Sequence, residues 1–106
     1  MAMPTPKIFR IDVLAKTVTP ALHHISLLQR EEVAWVINDG NGKVVFDPTT
    51  GDPVQYTVGP DFDWQQPAVG TAKTAGFHPH TMCCWYTLPG GLKTQAVLTA
   101  VLIIDP

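Results

Sequence analysis

Short apolar segments alternate with turn residues along the whole chain. In residues 33–37, Val33, Trp35 and Ile37 would share one face of an extended strand, because alternate residues of a strand point to the same side. Comparable segments predict further strands at residues 7–14, 24–29, 43–46, 54–58, 80–88 and 94–104. The pattern predicts about seven strands, the density of a sandwich or small barrel. The last strand is rich in Val, Leu and Ile and is predicted to be buried on both faces.

The segments between these strands favour turns. Residues 38–42, Asn-Asp-Gly-Asn-Gly, predict a tight hairpin that joins strand 33–37 to a return strand at 43–46. Residues 89–91, Pro-Gly-Gly, predict a second turn. Residues 59–76 contain two prolines and are predicted to be a long irregular segment. Phe62 and Trp64 indicate that this segment folds back over the sandwich.

Composition supports an all-β protein. The chain has 106 residues, of which 45 % are apolar and 15 % charged. This predicts one folded domain over residues 1–106. Ten prolines and eight glycines argue against a helical bundle. Seven basic and nine acidic residues give a net charge of −2, which excludes the broad basic face of a nucleic-acid binder.

Location and redox state are predicted from the ends and the cysteines. The most apolar stretch, residues 96–104, is far shorter than the roughly 20 residues of a membrane-spanning helix. Residues 1–7 have no apolar core of signal-peptide length, so we expect a cytoplasmic protein, or a periplasmic or secreted one if a leader has been removed. Cys83 and Cys84 are adjacent, which disfavours a disulfide between them and predicts two thiols, at least one of them buried.

Three segments resemble the cupredoxin family. Residues 25–37, ISLLQREEVAWVI, resemble its second and third strands. Residues 76–88 resemble the aromatic strand before its ligand loop, and residues 100–106, AVLIIDP, resemble its closing strand. The resemblance implies an all-β, Greek-key β-sandwich of about seven strands.

The copper ligands of that family do not carry over to this chain. A copper-binding cupredoxin has a His after the Val-x-Trp strand, then a late cluster in which Cys precedes His and Met. Here the loop after Trp35 offers Asn38, Asp39 and Asn41 but no His. Late in the chain the order is His78, His80, Met82, Cys83, Cys84, and no His follows. The resemblance therefore implies the fold without an intact type 1 copper site.

A different metal site is one hypothesis. In an extended strand, alternate residues share a face, and these are His78, His80, Met82 and Cys84. Their imidazole, thioether and thiolate groups are ligands for copper, and His with Cys also suits zinc. Because four ligands on one strand span about 20 Å, a site of His78 and His80 closed by His23 or His24 is geometrically easier. The alternative is exposed loop histidines, a core Met82 and a buried cysteine.

Motifs for catalysis are absent from the sequence. It has no Gly-x-Ser-x-Gly elbow, P-loop or His-Glu-x-x-His. A cysteine nucleophile with a histidine base is a weak possibility, because only their closeness in sequence supports it. We therefore expect a protein that is not an enzyme.

The tryptophans predict a core and a binding surface. Trp35 and Trp85 fall in predicted strands and are expected in the core. Trp64 lies in the long loop and is expected to be the most exposed of the three. Asp61 and Asp63 flank Phe62 beside it, and two glutamines follow at residues 65 and 66. An exposed indole beside carboxylates and amides would suit a carbohydrate or a protein partner, whereas a loop packed as a lid on the sandwich is the alternative.

The sequence as a whole predicts a non-enzymatic binding or assembly module without a cofactor. Its partner would be a protein or a small molecule, and it would form homo-oligomers, if at all, through a sheet edge or the last strand. The alternative is a copper or zinc protein, or an electron-transfer protein, that uses His78, His80 and Cys84 with Met82 as a weak ligand.

Overall fold

Ten strands make up the regular structure of residues 5–106. The computed structural model describes residues 5–106, so the first four residues of the Pro-rich N-terminal segment lie outside the described residues. The strands are β1 (Lys7–Asp12), β2 (Thr17–Thr19), β3 (Leu22–Ser26), β4 (Glu32–Ile37), β5 (Asn41–Val45), β6 (Val54–Val58), β7 (Asp61–Asp63), β8 (Ala68–Ala72), β9 (Gly76–Thr87) and β10 (Lys93–Asp105).

Two five-stranded sheets form a sandwich. The first sheet has the strand order β2-β1-β4-β8-β6, and the second has the order β3-β10-β9-β5-β7. Most neighbouring strands are antiparallel, but β1 pairs with β4, and β10 with β3, in parallel. The long hairpin of β9 and β10 supplies the centre of the second sheet. Its turn is the predicted Pro-Gly-Gly, in which Gly90 and Gly91 both have positive φ angles.

The core lies between the inner faces of the two sheets. In β10, alternate residues from Ala96 to Ile104 are buried, and in β9 the buried positions are His80, Met82 and Cys84. The first sheet contributes Trp35, which is fully buried. Alternation of this kind fixes the register, because a slip of one residue would turn each inner side chain outward.

The structure corrects several expectations about strands. Residues 59–76 are not irregular throughout, because they contain β7 and β8. A short strand, β2, also forms at Thr17–Thr19, outside the predicted strands. The last strand is buried on one face only, and Val97 on its outer face is 61 % exposed. Ten strands are therefore present where about seven were predicted.

The predicted hairpin at residues 38–42 is wrong. β4 pairs with β1 and β8 in the first sheet, whereas β5 pairs with β9 and β7 in the second. The turn therefore carries the chain from one sheet to the other. Gly40 has a φ of +79°, and a Cβ there would collide with the backbone carbonyl of Trp85. Glycine thus allows this crossing loop to approach β9 closely.

Within residues 5–106, no helix is long and apolar enough to cross a membrane.

Candidate functional site

The residues of the predicted metal cluster all lie on β9, which runs without interruption through Pro79. His80, Met82 and Cys84 face the core and are buried, and His78 is half-buried near the start of the strand. Because β9 stays extended and paired with β10 along its length, the four side chains are spread over about 20 Å. The structure places them on one face, as predicted, but does not draw them together.

His80 is held by hydrogen bonds on both ring nitrogens. Its Nε2 lies 3.1 Å from Nε1 of Trp35, and its Nδ1 lies 3.2 Å from the carbonyl oxygen of His78. An indole N–H can only donate, so Nε2 of His80 is the acceptor and Nδ1 carries the proton. Burial lowers the pKa of His80 to about 4, and the neighbouring His78 imidazole also lowers it. His80 is therefore a neutral core residue at neutral pH.

The histidines of β3 do not close a site around His80. The ring of Phe9 packs against both His23 and His80, with its centroid 4.9 Å from that of His23 and 5.2 Å from that of His80. Nε2 of His23 is 2.7 Å from the carbonyl oxygen of Ile8. His24 is exposed and faces Asp105, whose carboxylate lies 3.3 Å from its Nδ1. The structure thus directs these two imidazoles to separate partners.

The donor groups described here do not fit a copper centre. Among residues 5–106, no three His, Cys, Asp or Glu side chains are grouped so that they could hold a metal ion. Burial raises the pKa of the Cys84 thiol to about 11, which disfavours the thiolate that a metal would bind. Nε2 of His78 is 2.9 Å from the carbonyl oxygen of Thr74.

A second group of chemistry-bearing residues lies on the outer face of the second sheet. Strand register aligns one residue from each of four adjacent strands, and we call these the tryptophan row: Asp63 of β7, Asn41 of β5, Trp85 of β9 and Gln95 of β10. All four face outward, because the residues before or after them in each strand are buried. Trp85 is half-buried on this outer face, so the expectation that it belongs to the core is wrong.

The turn after β7 positions Trp64 beside this row. Oδ1 of Asp63 accepts hydrogen bonds from the backbone amides of Gln65 at 2.8 Å and Gln66 at 2.9 Å. The amide of Trp64 also donates to the carbonyl oxygen of Gly40 at 3.1 Å. These bonds fix the backbone of the turn, yet the side chain of Trp64 is 61 % exposed. The loop is therefore ordered while its indole stays in water, and Trp64 is exposed as predicted.

Two shallow depressions adjoin along the tryptophan row. One has a volume of about 360 Å³ and is lined in part by Asp61, Gln66 and Trp85. The other has a volume of about 310 Å³ and is lined in part by Trp64 and Tyr86. Asn41 and Asp63 line both. Trp85 and Trp64 thus border two adjoining depressions of a size suited to small ligands.

Charge on this surface is mixed. In the neighbouring row of the sheet, Asp61 is paired in register with Lys43, which is paired in turn with Cys83. Asp61, Asp63 and Lys43 are exposed. The surface therefore presents carboxylates, an ammonium group and the amides of Asn41 and Gln95 together.

The sequence did not indicate Asn41, Trp85 and Gln95 as site residues. Their positions differ by up to 54 residues, and only the register of β5, β9 and β10 brings them together. One signal was present: Cys84 and Trp85 are neighbours in a strand, so a buried Cys84 requires an outward Trp85. The predicted Asp61, Asp63 and Trp64 lie on the same surface.

Comparison with known proteins supports the fold. No family model matches the sequence, and no curated protein matches it at a significant level. The two sheets, their order and the sandwich core define a cupredoxin-like fold. Among solved structures, the chain is similar to a proline-to-glycine variant of the cupredoxin amicyanin, in its reduced Cu(I) form at pH 4, with a TM-score of 0.60. The match covers 98 % of this chain and 86 % of that chain at 14 % identity, so it concerns the fold alone.

Proposed function

We propose that the protein is a non-enzymatic binding module and that its ligand lies across the tryptophan row. The observation that carries this proposal is that the indoles of Trp64 and Trp85 both lie on the outer surface of the sandwich, outside its core. Trp85 faces outward between two amides, and Trp64 projects from a turn whose backbone is already fixed by other bonds. Tryptophan is enriched in binding interfaces because one side chain supplies a large, rigid contact area.

The surroundings of the two indoles support recognition of a ligand. The carboxylates and amides of the row can fix the orientation of a bound molecule through hydrogen bonds. A turn that is held by Asp63 presents Trp64 in one position, which lowers the entropy lost on binding. This surface lies at the end of β9 that is remote from His78 and His80.

The alternative proposal is a copper- or zinc-binding or electron-transfer protein that uses His78, His80 and Cys84 with Met82. It would require β9 to bend and His80 to lose its bond to Trp35. Copper and zinc therefore belong in the same binding experiment.

The test is a binding panel with matched variants. The wild-type protein is measured by calorimetry against neutral oligosaccharides, a basic peptide, an acidic peptide, Cu²⁺ and Zn²⁺. The double variant Trp64→Ala/Trp85→Ala removes both indoles. Phe77→Ala is the control, because Phe77 is a 65 % exposed aromatic on the outer face of the same strand, about 26 Å from Trp85. Circular dichroism verifies that each variant is folded.

We expect at least one organic probe to bind the wild type and to lose tenfold or more of its affinity in the double variant, with Phe77→Ala unchanged. A panel without binding, or binding that the double variant keeps, would contradict the proposal. Stoichiometric metal binding that depends on His78 and His80 would establish the alternative. Sedimentation of all three proteins tests assembly, and a dimer abolished in the double variant would assign the row to self-association instead of to a ligand.

A further inference from the structure

We infer that the ligand of the tryptophan row is a neutral oligosaccharide. The inference rests on the proposed function and specifies the chemical class of the ligand. Three properties of the row favour this class over a charged peptide: its mixture of donors and acceptors, its length, and the position of the indole in it.

The row offers both hydrogen-bond donors and acceptors, and its charged surroundings carry both signs. Asn41 and Gln95 each carry an amide that can donate and accept, and they flank Trp85 on its two sides. Asp63 commits Oδ1 to the turn, and within residues 5–106 no hydrogen bond of its other carboxylate oxygen is present. Sugar hydroxyls both donate and accept, so they can satisfy all of these groups.

A charged peptide of either sign would meet at least one side chain of like charge on this surface. A basic peptide would be attracted by Asp61 and Asp63 but repelled by Lys43, which is paired in register with Asp61 on the neighbouring strand. An acidic peptide would meet the two carboxylates. A neutral ligand is repelled neither by the two carboxylates nor by the ammonium group, because it carries no charge of its own.

The length of the row and the position of Trp85 in it also favour a chain of sugars. Its four positions lie on adjacent strands, so the row spans three inter-strand spacings, or about 14 Å. The indole of Trp85 is an inner member of the row, with a polar side chain on either side. A pyranose ring presents a flat apolar face of C–H groups and a polar edge of hydroxyls. One ring could stack on the indole while its neighbours reach Asn41, Asp63 and Gln95.

The first experiment measures the dependence on length and salt. Neutral gluco-, manno-, xylo- and N-acetylglucosamine oligosaccharides of one to six units are titrated into the wild-type protein by calorimetry. We expect affinity for at least one series to rise with length until the ligand spans the row, and then to level off. The affinity should change less than twofold between low and high salt, because a neutral ligand is not subject to screening.

The second experiment places opposite charges at one exposed position. Gln95→Glu and Gln95→Lys have similar size and both disrupt the amide, so a neutral oligosaccharide should bind both several-fold more weakly than the wild type. A basic peptide would bind Gln95→Glu more tightly and Gln95→Lys more weakly. Phe77→Ala again serves as the control, and it should leave oligosaccharide affinity unchanged.

The outcomes separate the inference from the function on which it rests. If a basic or acidic peptide binds in a manner that depends on Trp64 and Trp85, and no oligosaccharide does, the inference is overturned and the binding module stands. If no probe depends on these two residues, both are overturned. Oligosaccharide binding that is insensitive to both substitutions at Gln95 would also overturn the inference.

Discussion

Acidification is expected to destabilise the fold through His80. The imidazole is 4 % exposed, and it is enclosed by the aromatic rings of Phe9, Trp35 and Phe46 at centroid distances of 4.7 to 5.6 Å. Its Nε2 accepts the indole N–H of Trp35. Protonation of Nε2 would place two donors against each other in a dry environment. His80 is therefore protonated at a lower pH in the folded state than in the unfolded chain, where its pKa is 6.5.

The magnitude follows from the pKa of His80. Burial lowers that pKa from 6.5 to about 4. Each pKa unit corresponds to 1.36 kcal/mol, so the full shift is equivalent to about 3 kcal/mol. Between these two pH values the unfolded chain binds the proton and the folded chain does not, so the free energy of unfolding decreases as the pH falls. The stability that the fold gains by keeping His80 neutral is fully present above pH 6.5 and is lost below about pH 4.

The assay is urea unfolding at a series of pH values between 4 and 7, with His80→Gln as the comparison. Glutamine can accept the Trp35 N–H and donate to the His78 carbonyl without titrating. We expect this variant to be about 1–2 kcal/mol less stable at pH 7, because it packs less well among the aromatic rings. The part of the pH dependence that is due to His80 should be absent from it. Parallel curves of stability against pH for the wild type and the variant would show that His80 does not contribute to the pH dependence.

Three further predictions concern single residues. Gly40→Ala should destabilise the fold by about 1–3 kcal/mol in urea unfolding, since φ is +79° and the new Cβ would collide with the Trp85 carbonyl; stability equal to the wild type would contradict the close approach. Trp35→Phe should cost about 2–4 kcal/mol, because it leaves a cavity and an unpaired buried nitrogen on His80; a loss below 1 kcal/mol would contradict it. A thiol reagent at pH 8 should label one cysteine per native chain, and Cys83→Ser should abolish labelling, because Cys84 is buried with a pKa raised to about 11; rapid labelling of that variant would refute the assignment.

The sequence was sufficient to predict the class of fold but not which strands pair with each other. Alternation at residues 33–37 predicted which side of β4 is buried, and Val33, Trp35 and Ile37 are indeed in the core. The all-β, cupredoxin-like fold is likewise confirmed. The partner of β5 was predicted wrongly, because turn residues specify a local reversal and not the sheet into which the next strand pairs.

The candidate site was predicted only in its local part. Asp61, Asp63 and Trp64 are close together in the chain, so the sequence alone predicts that the two carboxylates lie near the indole. Trp85 was misplaced because Met82, Trp85 and Tyr86 do not share one parity, so hydrophobicity alone leaves the phase of β9 undecided. The positions of Asn41 and Gln95 beside Trp85 depend on register between distant strands, which no local pattern encodes.

The indole N–H resonances of the three tryptophans can show directly whether a ligand binds across the tryptophan row. The resonances of Trp85 and Trp64 report on the proposed binding surface, and that of Trp35 reports on the buried hydrogen bond to His80. The measurement is a proton–nitrogen correlation spectrum during titration with a neutral oligosaccharide series, and separately with Cu²⁺ and Zn²⁺. We expect an oligosaccharide to shift the Trp85 and Trp64 resonances at saturation and to leave the Trp35 resonance in place. A Trp35 resonance that shifts or broadens with stoichiometric metal, while Trp64 and Trp85 respond to no oligosaccharide, would contradict it.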